Sequence, residues 1–177
     1  MLPFLPMTAI QVLTNNLLYD FSQTAIPTDH VDREYLAVPR RWEIGNIFKF
    51  MVLIGPISSI FDFATFFVLI RFFGGWSNAA LFQSGWFVES LLTQTLIIHI
   101  IRTPKVPFVQ SRASATLMAT TVSICALGIA LPFTWIGKAL GFVALPGPFF
   151  PVLLCFLLGY ALLAHCAKVW FVRRWGM

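Results

Sequence analysis

The run IFKFMVLIGPISSIFDFATFFVLIRFF, residues 47–73, decides the fold class of this chain. It carries only three charged residues, Lys49, Asp62 and Arg71, in an otherwise apolar stretch. A helix needs about 20 mostly apolar residues to cross the hydrocarbon core of a bilayer. Residues 47–73 are therefore predicted to form a membrane-spanning helix.

Four further apolar runs of similar length surround it. They give predicted spans at approximately 4–25, 81–101, 116–136 and 149–172. The 177 residues are 58% hydrophobic and 11% charged, whereas soluble domains carry about 25% charged residues. We therefore expect an all-α integral membrane protein with five transmembrane helices in a single membrane domain, residues 1–177. Walker, GxGxxG and HExxH motifs are absent from the sequence, and so is a recognisable secretory signal.

The basic residues predict the orientation of these helices. Ten of the twelve Lys and Arg residues fall on one side of the predicted membrane: Arg33, Arg40, Arg41, Lys49, Arg102, Lys105, Arg112, Lys168, Arg173 and Arg174. Arg71 and Lys138 fall on the other side. Because cytoplasmic loops are enriched in Lys and Arg, we expect loops 26–46 and 102–115 and the C-terminus to be cytoplasmic. Tryptophans near span ends, including Trp86, are typical of interface anchors.

A polar stretch interrupts the first predicted span. Residues 14–27 read TNNLLYDFSQTAIP. Asn16 and Asp20 are four residues apart and therefore share one helix face, which Gln23 and Thr24 extend by a turn. Carboxylate, amide and hydroxyl oxygens suit a hard divalent cation. A cluster of hydrogen bonds between helices explains the same residues, and both interpretations stay open here.

Two more acids lie inside spans, where charged residues are costly and often functional. Asp62 follows Gly55–Pro56, a predicted kink, and is interpreted mainly as a packing residue that pairs with a neighbouring helix. Glu89 precedes Gln94 by five residues in the third span. Both are candidate contributors to an ion site, with packing as the alternative.

The three histidines are interpreted as structural or solvated residues. His99 and His165 lie near the cytoplasmic ends of apolar helices, where packing is the expected role. His30 lies in the loop sequence TDHVD, residues 28–32. A regulatory metal site is the alternative for that loop.

Several longer phrases resemble one family. NNLLYDFSQTAIPTDHVD, residues 15–32, resembles the sixth transmembrane helix of P-type ATPases, which carries an N-x-x-x-D ion-binding motif. Three phrases narrow the resemblance to bacterial magnesium-translocating P-type ATPases: GPISSIFDFATFFVL (55–69), LFQSGWFVESLLTQTLIIHIIRT (81–103) and VPFVQSRAS (106–114). The resemblance covers nearly the whole chain.

The resemblance implies the C-terminal half of a ten-helix transmembrane domain, with the five spans as helices six to ten. It places Asn16 and Asp20 at ion-ligand positions and implies Mg²⁺ as the transported ion. It also places either Glu89 or Gln94 at a helix-eight ligand position, and the two point about 140° apart. The implied location is the bacterial inner membrane.

The resemblance also implies a partner. The DKTGT phosphorylation motif, the nucleotide-binding domain and the actuator TGE loop are absent from this sequence. We therefore expect no ATP site in this chain, no ATPase activity of the chain alone, and no nucleic-acid partner. Besides lipid, the expected partner is the N-terminal portion of the pump, with its soluble domains and helices one to five. The chain is then a fragment, a truncated product or one piece of a split pump. The alternative is a self-standing membrane interaction or regulatory protein.

Overall fold

The computed structural model describes residues 2–29, 44–103, 105–108 and 110–175. These residues form helices and connecting turns and no β-strand. The α-helices are α1 (Ala9–Gln23), α2 (Ile44–Phe72), α3 (Ala79–Ile101), α4 (Ala115–Ala130), α5 (Trp135–Ala139) and α6 (Phe149–Trp175). Two short 3₁₀ helices, Ile26–Thr28 and Leu131–Phe133, follow α1 and α4. The predicted all-α fold class is confirmed.

Four helical segments are long and apolar enough to cross a membrane. They are Phe48–Phe72, Ala79–Ile101, Ala115–Phe133 and Phe149–Trp175, and each corresponds to one of the predicted spans. Many of their large apolar side chains are exposed on the outside of the bundle, as in Phe63, Phe67 and Leu162. An apolar exterior of this kind suits contact with lipid.

The first predicted span is shorter than expected. The sequence predicted a helix over 4–25, but α1 contains 15 residues, Ala9–Gln23, which is a length of about 22 Å at 1.5 Å per residue. The helix begins at Ala9 because Thr8 is extended, with φ −76° and ψ 158°, and its backbone N–H donates to Gln11 Oε1 at 3.0 Å. After Gln23 the chain passes into the 3₁₀ helix that contains Pro27.

Other predicted boundaries also shift. The fourth span was expected at 116–136, but α4 ends at Ala130 and a 3₁₀ turn with Pro132 follows, since proline cannot donate the next helical hydrogen bond. α2 begins at Ile44, inside the predicted loop 26–46. Residues 30–43 of that loop, which include His30, lie outside the described residues. So do residues 104 and 109 of the loop 102–115.

α3 is the central helix of the bundle. It packs against α1, α2, α4 and α6, while α2 also packs against α6 and α1 against α4. The main apolar core of the bundle includes the buried side chains of Leu69, Phe82, Phe87 and Leu91. α3 is the most buried of the four membrane-crossing segments. Polar side chains on α3 are therefore enclosed by protein.

Candidate cation-binding site

The helix α1 has two polar faces that point in opposite directions. Gln11, Asn15 and Ser22 are buried against the bundle. Asn16 and Asp20 are exposed, on the side of α1 that faces away from α3 and α4. The predicted sharing of one helix face by Asn16 and Asp20 therefore agrees with the structure.

The exposed face of α1 mixes polar and apolar groups. Leu13, Leu17 and Phe21 are 62%, 53% and 54% exposed beside Asn16 and Asp20. This set is called the open face of α1 below. A carboxylate and an amide project there without a hydrogen bond to any other described side chain. Their oxygens are consequently available to a ligand that approaches from outside these residues.

Gln23 and Thr24, predicted to extend the same face, lie at the C-terminal end of α1. Gln23 is half-buried and Thr24 is exposed. The Thr24 hydroxyl donates to the Phe21 carbonyl at 2.8 Å, so it is engaged in ending the helix. Gln23 is the better placed of the two to join Asn16 and Asp20.

The buried face of α1 is mostly engaged in packing. The Ser22 hydroxyl donates to the Tyr19 carbonyl at 2.6 Å, and Gln11 Nε2 donates to the Leu140 carbonyl at 3.4 Å. Asn15 is the exception, because its buried Oδ1 has no hydrogen-bond partner among the described residues. The sequence analysis left Asn15 out of the candidate ligands, because Asn15 lies on a neighbouring stripe of the helix and not on the face that Asn16 shares with Asp20.

Glu89 lies inside the bundle, where it meets Asp62 rather than the open face of α1. Its side chain is 1% exposed. The carboxyl groups of Asp62 on α2 and Glu89 on α3 are near enough to interact. The Glu89 oxygen Oε2 is buried and has no partner in the described part of the chain. No hydrogen bond connects Glu89 with Asn16 or Asp20 among these residues.

Asp62 is held by a tryptophan of the neighbouring helix. Trp86 Nε1 donates to Asp62 Oδ1 at 2.8 Å, which agrees with the interpretation of Asp62 as a packing residue. The Trp86 indole is half-buried and packs edge-on against Phe66 of α2, so the predicted interface anchor also joins α3 to α2. Sequence position near a span end did not reveal this contact.

Gln94 has a partner within α3. Its Nε2 donates to the Ser90 hydroxyl at 2.9 Å, and its oxygen accepts no hydrogen bond from the residues that the structure describes. Ser58 lies on α2, one turn before Asp62. Its hydroxyl hydrogen-bonds with the hydroxyl of Tyr160 on α6 at 3.0 Å. The interior polar groups thus connect α2, α3 and α6.

Of the two histidines in the described part of the chain, His99 makes a structural hydrogen bond, whereas the buried Nδ1 of His165 has no hydrogen-bond partner among the described residues. His99 is 2% exposed, and its Nε2 hydrogen-bonds with the Thr121 hydroxyl at 2.9 Å. This agrees with the predicted packing role. Among the described residues, no group of three or more His, Cys, Asp or Glu side chains is arranged to hold a metal ion. A cation bound by these residues would therefore need further ligands.

Comparison with known proteins identifies the family of this chain. Residues 4–170 match the family described as "Cation transporting ATPase, C-terminus". "Magnesium-transporting ATPase, P-type 1" of Salmonella typhimurium strain LT2 is 48% identical over 178 residues, which cover 99% of this chain and 20% of that relative. The protein of the same name from Escherichia coli K12 is 49% identical over 177 residues, with the same coverage of both chains.

The chain thus spans only 20% of the length of these relatives. The match nevertheless runs through α1 to α6 and includes the whole open face of α1. It agrees with the resemblance drawn from the phrases at residues 15–32 and 81–103. The chain belongs to the family of C-terminal regions of cation-transporting ATPases.

Proposed function

We propose that this chain supplies the C-terminal transmembrane part of a magnesium-transporting P-type ATPase, in which Asn16 and Asp20 bind the transported Mg²⁺. The observation that carries the proposal is the exposure of both side chains on one face of α1. The identity of the ion is inferred from the names of the relatives, which are magnesium-transporting ATPases.

The chemistry of the pair suits Mg²⁺. Mg²⁺ prefers six oxygen ligands in octahedral geometry at about 2.0–2.1 Å and keeps several waters. Asp20 provides a negative charge and Asn16 a neutral carbonyl oxygen. Two side chains leave the shell incomplete, and Gln23 is a third candidate. Glu89 and Gln94 remain candidate ligands from α3, and the unpartnered Oε2 of Glu89 supports the former.

The open face of α1 also indicates a partner. A polar group without a partner in hydrocarbon is unfavourable by several kcal/mol. Covering Asn16 and Asp20 with protein removes that cost. The proposed cover is the portion of the pump that precedes this chain, which would complete the ion site and contribute the phosphorylation and nucleotide-binding domains. The chain alone is then expected to bind Mg²⁺ weakly and to hydrolyse no ATP.

The basic residues support a cytoplasmic C-terminus in a bacterial inner membrane. Lys49 at the start of α2 lies over the ring of Trp175 at the end of α6, with 5.9 Å between Nζ and the ring centroid. Lys168 of α6 contacts the backbone of Lys105, just after α3. These basic residues, all predicted to be cytoplasmic, therefore gather at one end of the bundle, as the positive-inside rule requires.

A reporter fusion tests the orientation. A reporter that is active only in the cytoplasm, fused after Met177, is expected to be active, and a periplasmic reporter at the same place is expected to be silent. A matched pair of fusions after Lys138, in the predicted outer connection, should give the opposite result. Periplasmic activity after Met177 would overturn the proposed orientation.

Growth of a transport-deficient cell tests the proposed function. The chain is joined to the N-terminal portion of a magnesium-transporting relative and expressed in a bacterium that lacks its own magnesium importers. Growth in low magnesium is expected from the joined protein. Neither half alone should support growth, because neither contains the whole ion path. Growth from this chain alone would favour a self-standing activity, and a stable joined protein that fails to support growth would count against the proposal.

A further inference from the structure

A buried lysine near the end of α6 caps the C-terminal end of a different helix, α3. Lys168 is 4% exposed, and its Nζ donates to the carbonyl oxygens of Ile100 at 2.9 Å, Thr103 at 2.9 Å and Lys105 at 3.2 Å. An ammonium group has three donors, and all three are used here.

The position of these carbonyls explains why a cation belongs there. The last four carbonyls of a helix have no partner within that helix, and the C-terminal end of a helix carries a partial negative charge. Ile100 is in the last turn of α3, and Thr103 and Lys105 follow the helix. Lys168 therefore caps α3 from α6 and fixes the backbone on both sides of Arg102.

Arg102 connects this backbone to the end of the α1 region. Its Nε donates to Asp29 Oδ2 at 2.6 Å, and the two side chains are only 11% and 13% exposed. Asp29 Oδ1 in turn accepts from the backbone N–H of Ser114 at 2.7 Å, and Ser114 is the N-cap of α4. One carboxylate thus joins the end of α3 to the start of α4.

Arg102 uses its other nitrogens nearby. Nη1 donates to the Ser111 hydroxyl at 3.4 Å, and Nη2 donates to the Arg112 carbonyl at 3.2 Å. An arginine has a planar fork of donors, so several bonds are made at once only when its backbone is correctly placed. The placement of Arg102 consequently depends on what holds residues 100–105.

We propose that Lys168 is a positioning residue that holds Arg102 and, through the Arg102–Asp29 ion pair, fixes the beginning of the segment 26–46. α6 is thereby coupled to a segment that lies far from it in sequence. The value of this coupling for pumping rests on the proposed function, in which the segment 26–46 is a cytoplasmic loop of the pump. The coupling itself is a property of this chain and is measurable without transport.

Hydrogen–deuterium exchange on the complete 177-residue chain in lipid nanodiscs tests the coupling. The variant is Lys168→Met, which keeps an unbranched side chain of similar length but removes all three donors. The reporters are the backbone amides of Thr28 and Asp29, bonded to the carbonyls of Ala25 and Ile26. Their exchange is expected to become about tenfold faster, since losing bonds to a charged group weakens local protection by this order.

Two matched variants separate coupling from general damage. Lys138→Met removes an exposed lysine at the other end of the bundle and should leave these amides unchanged. Asp29→Asn removes the ion pair but keeps the three Lys168 bonds. It should speed exchange at Thr28 and Asp29, while the amide of Arg102, bonded to the Ile98 carbonyl, stays protected.

The outcomes decide the proposal. If Lys168→Met exposes the amides of Arg102, Thr103 and Lys105 and leaves Thr28 and Asp29 protected, Lys168 is only a local cap and the coupling is wrong. If Lys168→Met does not fold, Lys168→Gln, which retains two donors, should give a smaller change at the same amides, and no change there would overturn the proposal.

Transport by the joined pump supplies the second readout. Lys168→Met should lower kcat several-fold with KM for Mg²⁺ unchanged, because Asn16 and Asp20 are untouched. A raised KM with unchanged kcat would contradict the positioning role. A joined pump that is inactive even with the native chain would count against the proposed function, while the exchange result would still stand.

Discussion

Replacing Asp20 by asparagine is expected to abolish magnesium transport by the joined pump while leaving the membrane fold intact. The substitution removes one negative charge and changes the side-chain volume very little. Asp20 is exposed on the open face of α1, and its carboxylate makes no hydrogen bond to another side chain among the described residues. A divalent cation held partly by a carboxylate loses most of its attraction when that carboxylate becomes an amide. The measurement is growth in low magnesium at equal expression.

Asp62→Asn is the matched control for this prediction, since it makes the same chemical change in another membrane helix. The new amide keeps an oxygen that can accept from Trp86 Nε1, so the contact between α2 and α3 should survive. We expect a milder loss of growth from Asp62→Asn. Full growth of the Asp20→Asn variant would show that Asp20 has only a structural role.

Gly137→Ala is expected to cause the largest loss of stability among single methyl additions. A Cβ at position 137 would lie 1.9 Å from the Leu131 carbonyl oxygen and 2.7 Å from its carbonyl carbon. Both atoms belong to the backbone and cannot rotate away, so the turn between α4 and α5 must shift. Overpacking of this kind costs about 3 kcal/mol. At this chain length the midpoint of thermal unfolding should fall by about 6–12 °C.

Gly147→Ala is the matched control, because a Cβ there meets no atom within 4 Å. In detergent solution its midpoint of thermal unfolding should stay near that of the native chain. The free energy of unfolding should change by no more than about 0.5 kcal/mol. Equal midpoints for Gly137→Ala and Gly147→Ala would show that the turn accommodates the methyl group. The account of that turn would then be wrong.

Long apolar runs made most of the fold predictable. α2, α3 and α6 coincide with predicted spans because a continuous apolar run of about 20 residues has few alternatives to a membrane helix. The start of α1 was missed because it depends on a local hydrogen bond, from the Thr8 N–H to Gln11 Oε1. The end of α4 was missed because apolar residues continue past Ala130 into the turn at Pro132.

The candidate site was predictable only in part. Helical periodicity placed Asn16 and Asp20 on one face, because residues four apart in sequence share a face of a helix. Which face of α1 is buried depends on α3 and α4, so the sequence did not show that Asn15 is buried and Asn16 exposed. The pairing of Glu89 with Asp62, and the bonds of Lys168 to the end of α3, arise from contacts between helices. No local pattern reveals such contacts.

The open face of α1 is proposed to form half of a magnesium site. The most direct measurement is the structure of the joined pump with Mg²⁺ bound. The account predicts that Asn16 and Asp20 face helices of the preceding portion, with an ion about 2.1 Å from an oxygen of each. The same side chains facing lipid, with the bound ion elsewhere in the membrane, would contradict it.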